Sequence, residues 1–487
     1  MNYRLLSKIL GLLLLLLGAT MLSCLLYAWL QSPREHEAAR SLGISIAITL
    51  AAGLGLILVG RNSGTQLLRK EAISIVGLGW ILCALFGALP YVFCLPGLSV
   101  GDAFFESMSG FTTTGATTIT DLDEYPRSIL LWRSLTQWLG GLGILVLFVA
   151  LLSYLGVGSK ALFGHESSAR SSQGLQARIH DVAVRLWMIY LGLTVICTVG
   201  LVGFGMSWYD AVSHAFTAIS TGGFSPENRS VAAYDSLGIE LWLTVFMLLG
   251  SVSFILYAWL LRGRWERWRV EEEARYFILI VLATTVVIAL DLMLLGRYQT
   301  GQAFRDSLFQ VASIVTTTGF ATADFNAWPP FSTVMLLALM CLGGCAGSTA
   351  GGLKVGRWLL FAKVVRQQVV NAFRPNQVFS LKLNGQAVEE SSRTQALFLL
   401  ALAAVSVFVG TALVSLLEPG MDMDSSVSAV MACLFNIGPG LGLVGPTENF
   451  AFLGPATKLM LSGFMLLGRL EFFAVLVLFS PTLWRRY

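Results

Sequence analysis

The chain has 487 residues, of which 55% are hydrophobic and only 12% charged, with a net charge of +4. Soluble domains carry about a quarter charged residues, so the composition excludes an ordinary soluble fold and points to a chain that lives in lipid. Seven cysteines show neither CxxC pairs nor histidine partners at metal spacing, the four histidines are scattered, and no nucleophile, base and orienter stand together, so catalysis and a structural metal have no candidate site.

Crossing about 30 Å of hydrocarbon takes about 20 apolar residues. Roughly ten such runs are expected, at 5–31, 41–60, 73–96, 128–154, 183–205, 237–261, 276–296, 329–363, 396–417 and 455–480. The first is too long for the apolar core of a cleaved signal peptide and is read as a retained helix. With both termini placed in the cytoplasm, roughly 23 Lys and Arg fall on the inside and about 8 outside. Arg262, Arg264, Arg267, Arg269 and Arg275 share one inside loop. The small positive charge is thus a topology signal, with no support for nucleic-acid binding.

Four outside connections look alike. Each opens with a short amphipathic stretch, at Gly101 to Phe111, Trp208 to Ile219, Gln302 to Ile314 and Met423 to Leu434. An acidic residue, Asp102, Asp210, Asp306 or Asp424, is expected in the first turn of each, where the positive end of a helix dipole favours it. A small, polar, glycine-containing segment follows. In order these are Thr112 to Thr117 (TTTGAT), Ser220 to Ser225 (STGGFS), Thr316 to Ala321 (TTTGFA) and Asn436 to Gly440 (NIGPG), and each leads into another apolar span.

The expected fold is an all-α polytopic membrane protein with four membrane-pore-membrane repeats around one central pore plus an N-terminal helix pair. The pair occupies 1–72, and the repeats 73–156, 183–261, 276–365 and 396–487. Irregular backbone at membrane depth survives only where protein buries it or where it lines a watery cavity, so four such segments imply one shared cavity. Half-helices ending there aim their negative ends at a cation. The carbonyls of the turns replace the ion's water shell, and glycine lets the backbone come close at positive φ.

Inside the third repeat's second span, Gly343 to Gly352 (GGCAGSTAGG) holds too much glycine to remain a regular helix, and a break lining the pathway is expected. The competing account is close helix packing through small residues. Lys354 follows directly, placed either to reach the cytoplasmic surface or to block or hold this segment. Arg469, the basic residue near the middle of a span, is expected to face the pore below the turns as a barrier to cations, with Glu471 a poor partner two residues away. The acidic residues Asp121, Asp123, Glu124, Glu227, Asp324 and Glu448 lie just beyond the turns, where two readings stand equally, a field that concentrates cations or ordinary solvated loop charge.

The segments SGFTTTGAT at 109–117, TTTGFATADF at 316–325, GGCAGSTAGGLKVGR at 343–357 and GRLEFFAVLVLFSPTLWR at 468–485 resemble the Trk/Ktr/HKT superfamily of potassium transporters, in particular its bacterial TrkH type with an additional N-terminal helix pair. The resemblance covers essentially the whole chain. It implies a potassium selectivity filter at Thr113, Thr114 and Gly115, Thr221, Gly222 and Gly223, Thr317, Thr318 and Gly319, and Asn436, Ile437 and Gly438. It further implies a gate formed by Gly344, Gly347, Ser348, Thr349, Gly351 and Gly352 with Lys354 and Arg469. Glycine in all four filter positions is similar to the potassium-selective members, and the fourth turn departs most from the pattern. The implied function is potassium uptake across a bacterial inner membrane, with K+ as the transported ion and no tightly bound cofactor. The implied partners are a second copy of the chain and a cytosolic TrkA-like ring that binds NAD(H) or ATP. Inside loops at about 157–182, 262–275 and 364–395 are too short for a nucleotide-binding domain of about 100 or more residues. No GxxxxGK[ST] motif occurs in the chain, so any regulation needs another chain. The alternative function is a sodium- or proton-coupled secondary transporter with weaker potassium preference. Such carriers favour inverted repeats, whereas all four units here run in the same sense.

Overall fold

A computed structural model describes residues 1–31, 35–63, 69–95, 97–154, 172–294, 296, 298–374 and 381–484. The inside loop expected at 157–182 therefore lies outside the described residues up to 171. Helix dominates. In chain order α1 (Tyr3–Leu30) and α2 (His36–Val59) form an antiparallel pair; α3 (Arg69–Gly87) and α4 (Leu89–Cys94) lead to α5 (Val100–Phe111) and α6 (Arg127–Tyr154). The second unit has α7 (Ser172–Gly203), α8 (Trp208–Ile219), α9 (Leu237–Ser251) and α10 (Phe254–Leu260), followed by the short α11 (Glu266–Val270). The third has α12 (Glu272–Leu294), α13 (Thr300–Val315), α14 (Pro330–Met340) and α15 (Val355–Phe373). A two-stranded hairpin, β1 (Lys382–Leu383) with β2 (Gln386–Ala387), precedes α16 (Glu390–Leu417), α17 (Met423–Leu434), α18 (Pro455–Arg469), α19 (Phe473–Leu476) and α20 (Pro481–Trp484).

Among the described residues six helices are long and apolar enough to cross a membrane, and two bent pairs would each add a span. The runs expected at 237–261 and 455–480 as single helices are these pairs, bent by 94° after Ser251 and by 117° after Arg469. The cause is local. Val252 and Ser253 are extended between α9 and α10, and Glu471 and Phe472 both take positive φ (53° and 62°). The third repeat is also non-helical at this level, from Cys341 to Lys354, so the second helix is interrupted in three repeats of the four. Large apolar side chains such as Leu16, Leu26, Phe408 and Leu416 stay outward and exposed, which in this composition is a lipid-facing surface.

The short helices α5, α8, α13 and α17 begin and end within two residues of the expected stretches. At 12 residues three of them are about 18 Å long, too short to cross hydrocarbon. From Phe105 to Phe111 every residue of α5 is buried, including Glu106, Ser107 and Ser109. Asp102 and Asp210 lie in first turns, bonded to the N-cap residues Ser99 and Ser207. Asp306 does not: α13 starts at Thr300, a turn and a half earlier, and Asp306 is buried within it.

Polar clasps close each seam between units. Glu106 on α5 pairs with Arg133 on α6 at 2.5 Å, both buried, and Arg133 also donates to the Ser225 carbonyl of the second unit at 3.0 Å. Arg305 on α13 pairs with Glu240 on α9 at 2.7 Å. Asn326 bonds the backbone of Gly442 in both directions, and Lys458 on α18 reaches Asp102 on α5 at 2.5 Å, joining the last unit to the first. Removing one member of a buried pair strands the other charge, at a cost of ~3–5 kcal/mol. Arg133→Met is accordingly expected to lower the melting temperature of the detergent-solubilised protein sharply, and the double replacement Glu106→Met with Arg133→Met to lose much less than the two single losses combined. Additive losses would show that the two charges do not act as a pair.

Candidate functional site

Each short helix ends in the same way. The amides of Thr113, Thr221, Thr317 and Asn436 bond back to Gly110, Ala218, Ile314 and Cys433, and the next amides reach Ser109, Thr217, Ser313 and Ala432 at 2.8–2.9 Å. This is the Schellman pattern, whose turning residue adopts positive φ and is usually glycine. Here the turning residues are Thr113 (52°), Thr221 (54°), Thr317 (57°) and Asn436 (55°). For a β-branched residue that conformation is an outlier that persists only when its surroundings impose it, at ~1–3 kcal/mol each. Two residues on, Gly115, Gly223, Gly319 and Gly438 are again at positive φ (87°, 77°, 81° and 101°). The fourth turn differs in chemistry from the others yet shares their backbone, and asparagine is a residue that tolerates the left-handed region.

These turns form a closed ring. A Cβ on Gly115 would overlap the Gly222 carbonyl oxygen, one on Gly223 that of Thr318, one on Gly319 that of Ile437, and one on Gly438 would lie 2.8 Å from that of Thr114. The middle carbonyl of each turn thus rests against the glycine of the preceding unit, and the order runs through all four units back to the first. Space and φ both require glycine at these positions.

Side chains behind the ring hold it. Gln137 on α6 donates to the Gly222 carbonyl at 2.7 Å and accepts from the Phe224 amide at 3.0 Å. Glu106 accepts from Thr117 and from the Thr118 amide, and the Arg133 guanidinium lies 3.6 Å from the Phe224 ring centre. Asn436 donates to the Thr114 hydroxyl at 3.0 Å and to the Met465 carbonyl at 2.9 Å. Thr112 with Thr114, and Thr316 with Thr318, form matching hydroxyl pairs at 2.8 Å.

The non-helical segment 341–354 lies directly against these turns. The Thr349 hydroxyl bonds the carbonyls of Ile219 and Gly250, the Gly351 amide donates to the Thr317 hydroxyl at 2.7 Å, and the Gly352 amide donates to Phe435 at 3.0 Å. Gly343, Gly347 and Gly352 are at positive φ; Gly344, Ser348, Thr349 and Gly351 are buried or nearly so. Lys354 turns back onto the Ala350 carbonyl. Arg469 is buried, donating to the Thr349 carbonyl at 2.7 Å and to Gly140 of the first unit at 3.3 Å. Among the described residues no carboxylate pairs with it. Glu471 pairs instead with Arg357 at 2.5 Å.

Beyond the turns Asn228 gathers Asp121 and Asp123, at 2.7 and 3.0 Å. Burial, with Asp210 and Asp123 nearby, pushes the Glu227 carboxyl above its ordinary range. The structure brings all twelve turn residues into one ring; of the eight expected gate residues seven lie in the 341–354 segment, where Thr349, Gly351 and Gly352 bond to the turns or the helix ends that lead to them, and the eighth, Arg469, donates to Thr349. Sequence reasoning missed Glu106, Arg133, Gln137 and Lys458, and it missed the left-handed threonines. One signal was present: Asn436 occupies the position aligned with the three threonines, and asparagine is suited to that conformation.

The sequence profile of the TrkH family, described as a cation transport protein, matches residues 40–486. The Trk system potassium uptake protein TrkH of Escherichia coli (strain K12) is 39% identical over 490 residues, covering all of both chains. The Trk system potassium uptake protein TrkI of Halomonas elongata is 36% identical over 98% of this chain and 96% of its own. The crystal structure of the potassium transporter TrkH from Vibrio parahaemolyticus superposes with a TM-score of 0.90 at 37% identity, covering all of both chains. With a helical membrane fold built from four pore units and likeness along its whole length, the chain belongs to the TrkH family of cation transport proteins.

Proposed function

We propose that the chain is the membrane subunit of a bacterial inner-membrane system for potassium uptake, with both termini in the cytoplasm. The observation that carries this is the closed ring of four equivalent turns at the C-terminal ends of four short helices. Oxygens from four units at one level replace the hydration shell of a monovalent cation, and the negative ends of the helix dipoles favour its charge. The close relatives named for potassium uptake support potassium as that cation. No full negative charge is needed, and none of the twelve turn residues is acidic.

On this reading the 341–354 segment is a gate in its closed position. Its bonds run to the second, third and fourth turns or the helices behind them, while Arg469 ties it to the first unit and puts a positive charge in the pathway. Opening needs force from outside the membrane. We assign that to a cytosolic nucleotide-binding ring acting on a dimer of this chain.

The test is flux in proteoliposomes, comparing potassium, rubidium, sodium and lithium with and without imposed gradients. Potassium and rubidium should pass well ahead of sodium and lithium along their own gradients. Equal passage of sodium and potassium would sink the selectivity, and an absolute need for a sodium or proton gradient would replace the channel by a coupled carrier. Gly115→Ser should lower the potassium-to-sodium permeability ratio about tenfold, ~1.4 kcal/mol, because its side chain meets the Gly222 carbonyl; an unchanged ratio would remove Gly115 from the filter. Deleting 345–352 should raise potassium flux in correctly inserted protein, and unaltered flux would refute the gate.

A further inference from the structure

The segment 341–354 is a loop with a neck and a tip. At the neck the Val355 amide donates to the Gly344 carbonyl at 3.1 Å, and Gly343 and Gly352 pack backbone to backbone, both at positive φ. The tip carries the bonds to the turns. One side chain grips the neck from outside. Glu273, in the first turn of α12 and 5% exposed, accepts the Ala346 amide and the Gly356 amide on the same oxygen, each at 2.8 Å. One amide lies within the loop just past its neck and the other in the first turn of α15, so a single carboxylate ties the loop to the helix that follows it.

Two further observations point the same way. Gly356 is helical, where alanine is the better helix former by about 1 kcal/mol. Yet a Cβ there would lie 2.9 Å from Glu273 Oε1, so glycine keeps the place open for the carboxylate. The neighbours of Glu273 anchor the turn that carries it. Glu271 accepts from the Asn384 side-chain amide at 2.9 Å, the Glu272 amide donates to Asn384 at 2.8 Å, and the Glu272 side chain pairs with Lys363 on α15. A latch holds only if its own mount is fixed, and here the hairpin and α15 fix it.

We infer that Glu273 is the positioning residue that latches the 341–354 loop in its closed place, by holding the Ala346 and Gly356 amides together. The inference rests on the gate reading above. Removing the carboxylate deprives two partly buried amides of the acceptor they share in the closed state, so the open state gains relative weight. A carboxylate is a stronger acceptor than an amide oxygen, so Glu273→Gln weakens the latch and Glu273→Ala abolishes it. Gly356→Ala pushes the carboxylate off without removing it.

Single-channel recording of the full chain in bilayers tests this. E273A should raise open probability about tenfold, the loss of one or more charge-assisted bonds, with E273Q between it and the parent. Unitary conductance and the potassium-to-sodium ratio should stay unchanged, since the turns are untouched. G356A should shift opening in the same direction, whereas a purely structural glycine would show no gain. Labelling by a membrane-permeant maleimide gives a second readout from native cysteines, because Cys345 lies in the loop and Cys197 is buried in α7. Faster labelling of Cys345 alone supports release of the loop; equal acceleration at Cys197 means general loosening and overturns the latch. If deleting 345–352 raises flux but E273A and G356A leave opening unchanged, the latch fails and the gate stands. If the deletion also changes nothing, both fall.

Discussion

Hydrocarbon offers no hydrogen bonds, so each amide and carbonyl that leaves a helix at membrane depth must be met by protein or by water in a cavity. That constraint organises the whole molecule. The amides at the four turns are answered by their own short helices, and the Gly222 carbonyl by Gln137. The 341–354 loop is longer and is answered by the turns themselves, by α9 and by Glu273. On the proposed reading, the contacts that satisfy the backbone of this loop are also those that obstruct the pathway.

The same demand accounts for the buried charges. Arg133 and Glu106 satisfy one another and also hold the outgoing strands of two turns, so the pair is a brace between the first and second units. Arg469 and Lys354 have a different kind of partner, since both donate to backbone carbonyls of the loop. Such bonds hold the loop in place but leave more positive charge uncompensated than an ion pair would, which suits a closed pathway for cations.

Fourfold likeness stops short of symmetry. The turns share backbone angles, yet the middle carbonyl of the second turn is also bonded to Gln137, and the fourth uses Asn436 where the others use threonine. The second helices differ more. The first unit continues as one helix, the second and fourth bend sharply, and the third opens into a loop of fourteen residues, 341–354. On the proposed reading, one pathway thus combines a repeated coordinating ring with a single moving part.

Periodicity and composition alone placed the four short helices to within two residues and most of the long apolar helices to within several, because lipid imposes length and polarity so strongly that they show in any window of sequence. The glycine run at 343–352 announced a break for the same local reason, helix propensity. Recognisable segments then carried the family and the identity of the turn residues. What the chain does not spell out is how distant parts meet. The partners of Arg469, the surroundings that hold the left-handed threonines and the choice of Glu273 as anchor of the loop each depend on groups tens to hundreds of residues apart. The ring itself is of this kind. Each glycine is required by a carbonyl about a hundred or more residues away, across a seam that only tertiary packing creates, because a Cβ there would run into that oxygen.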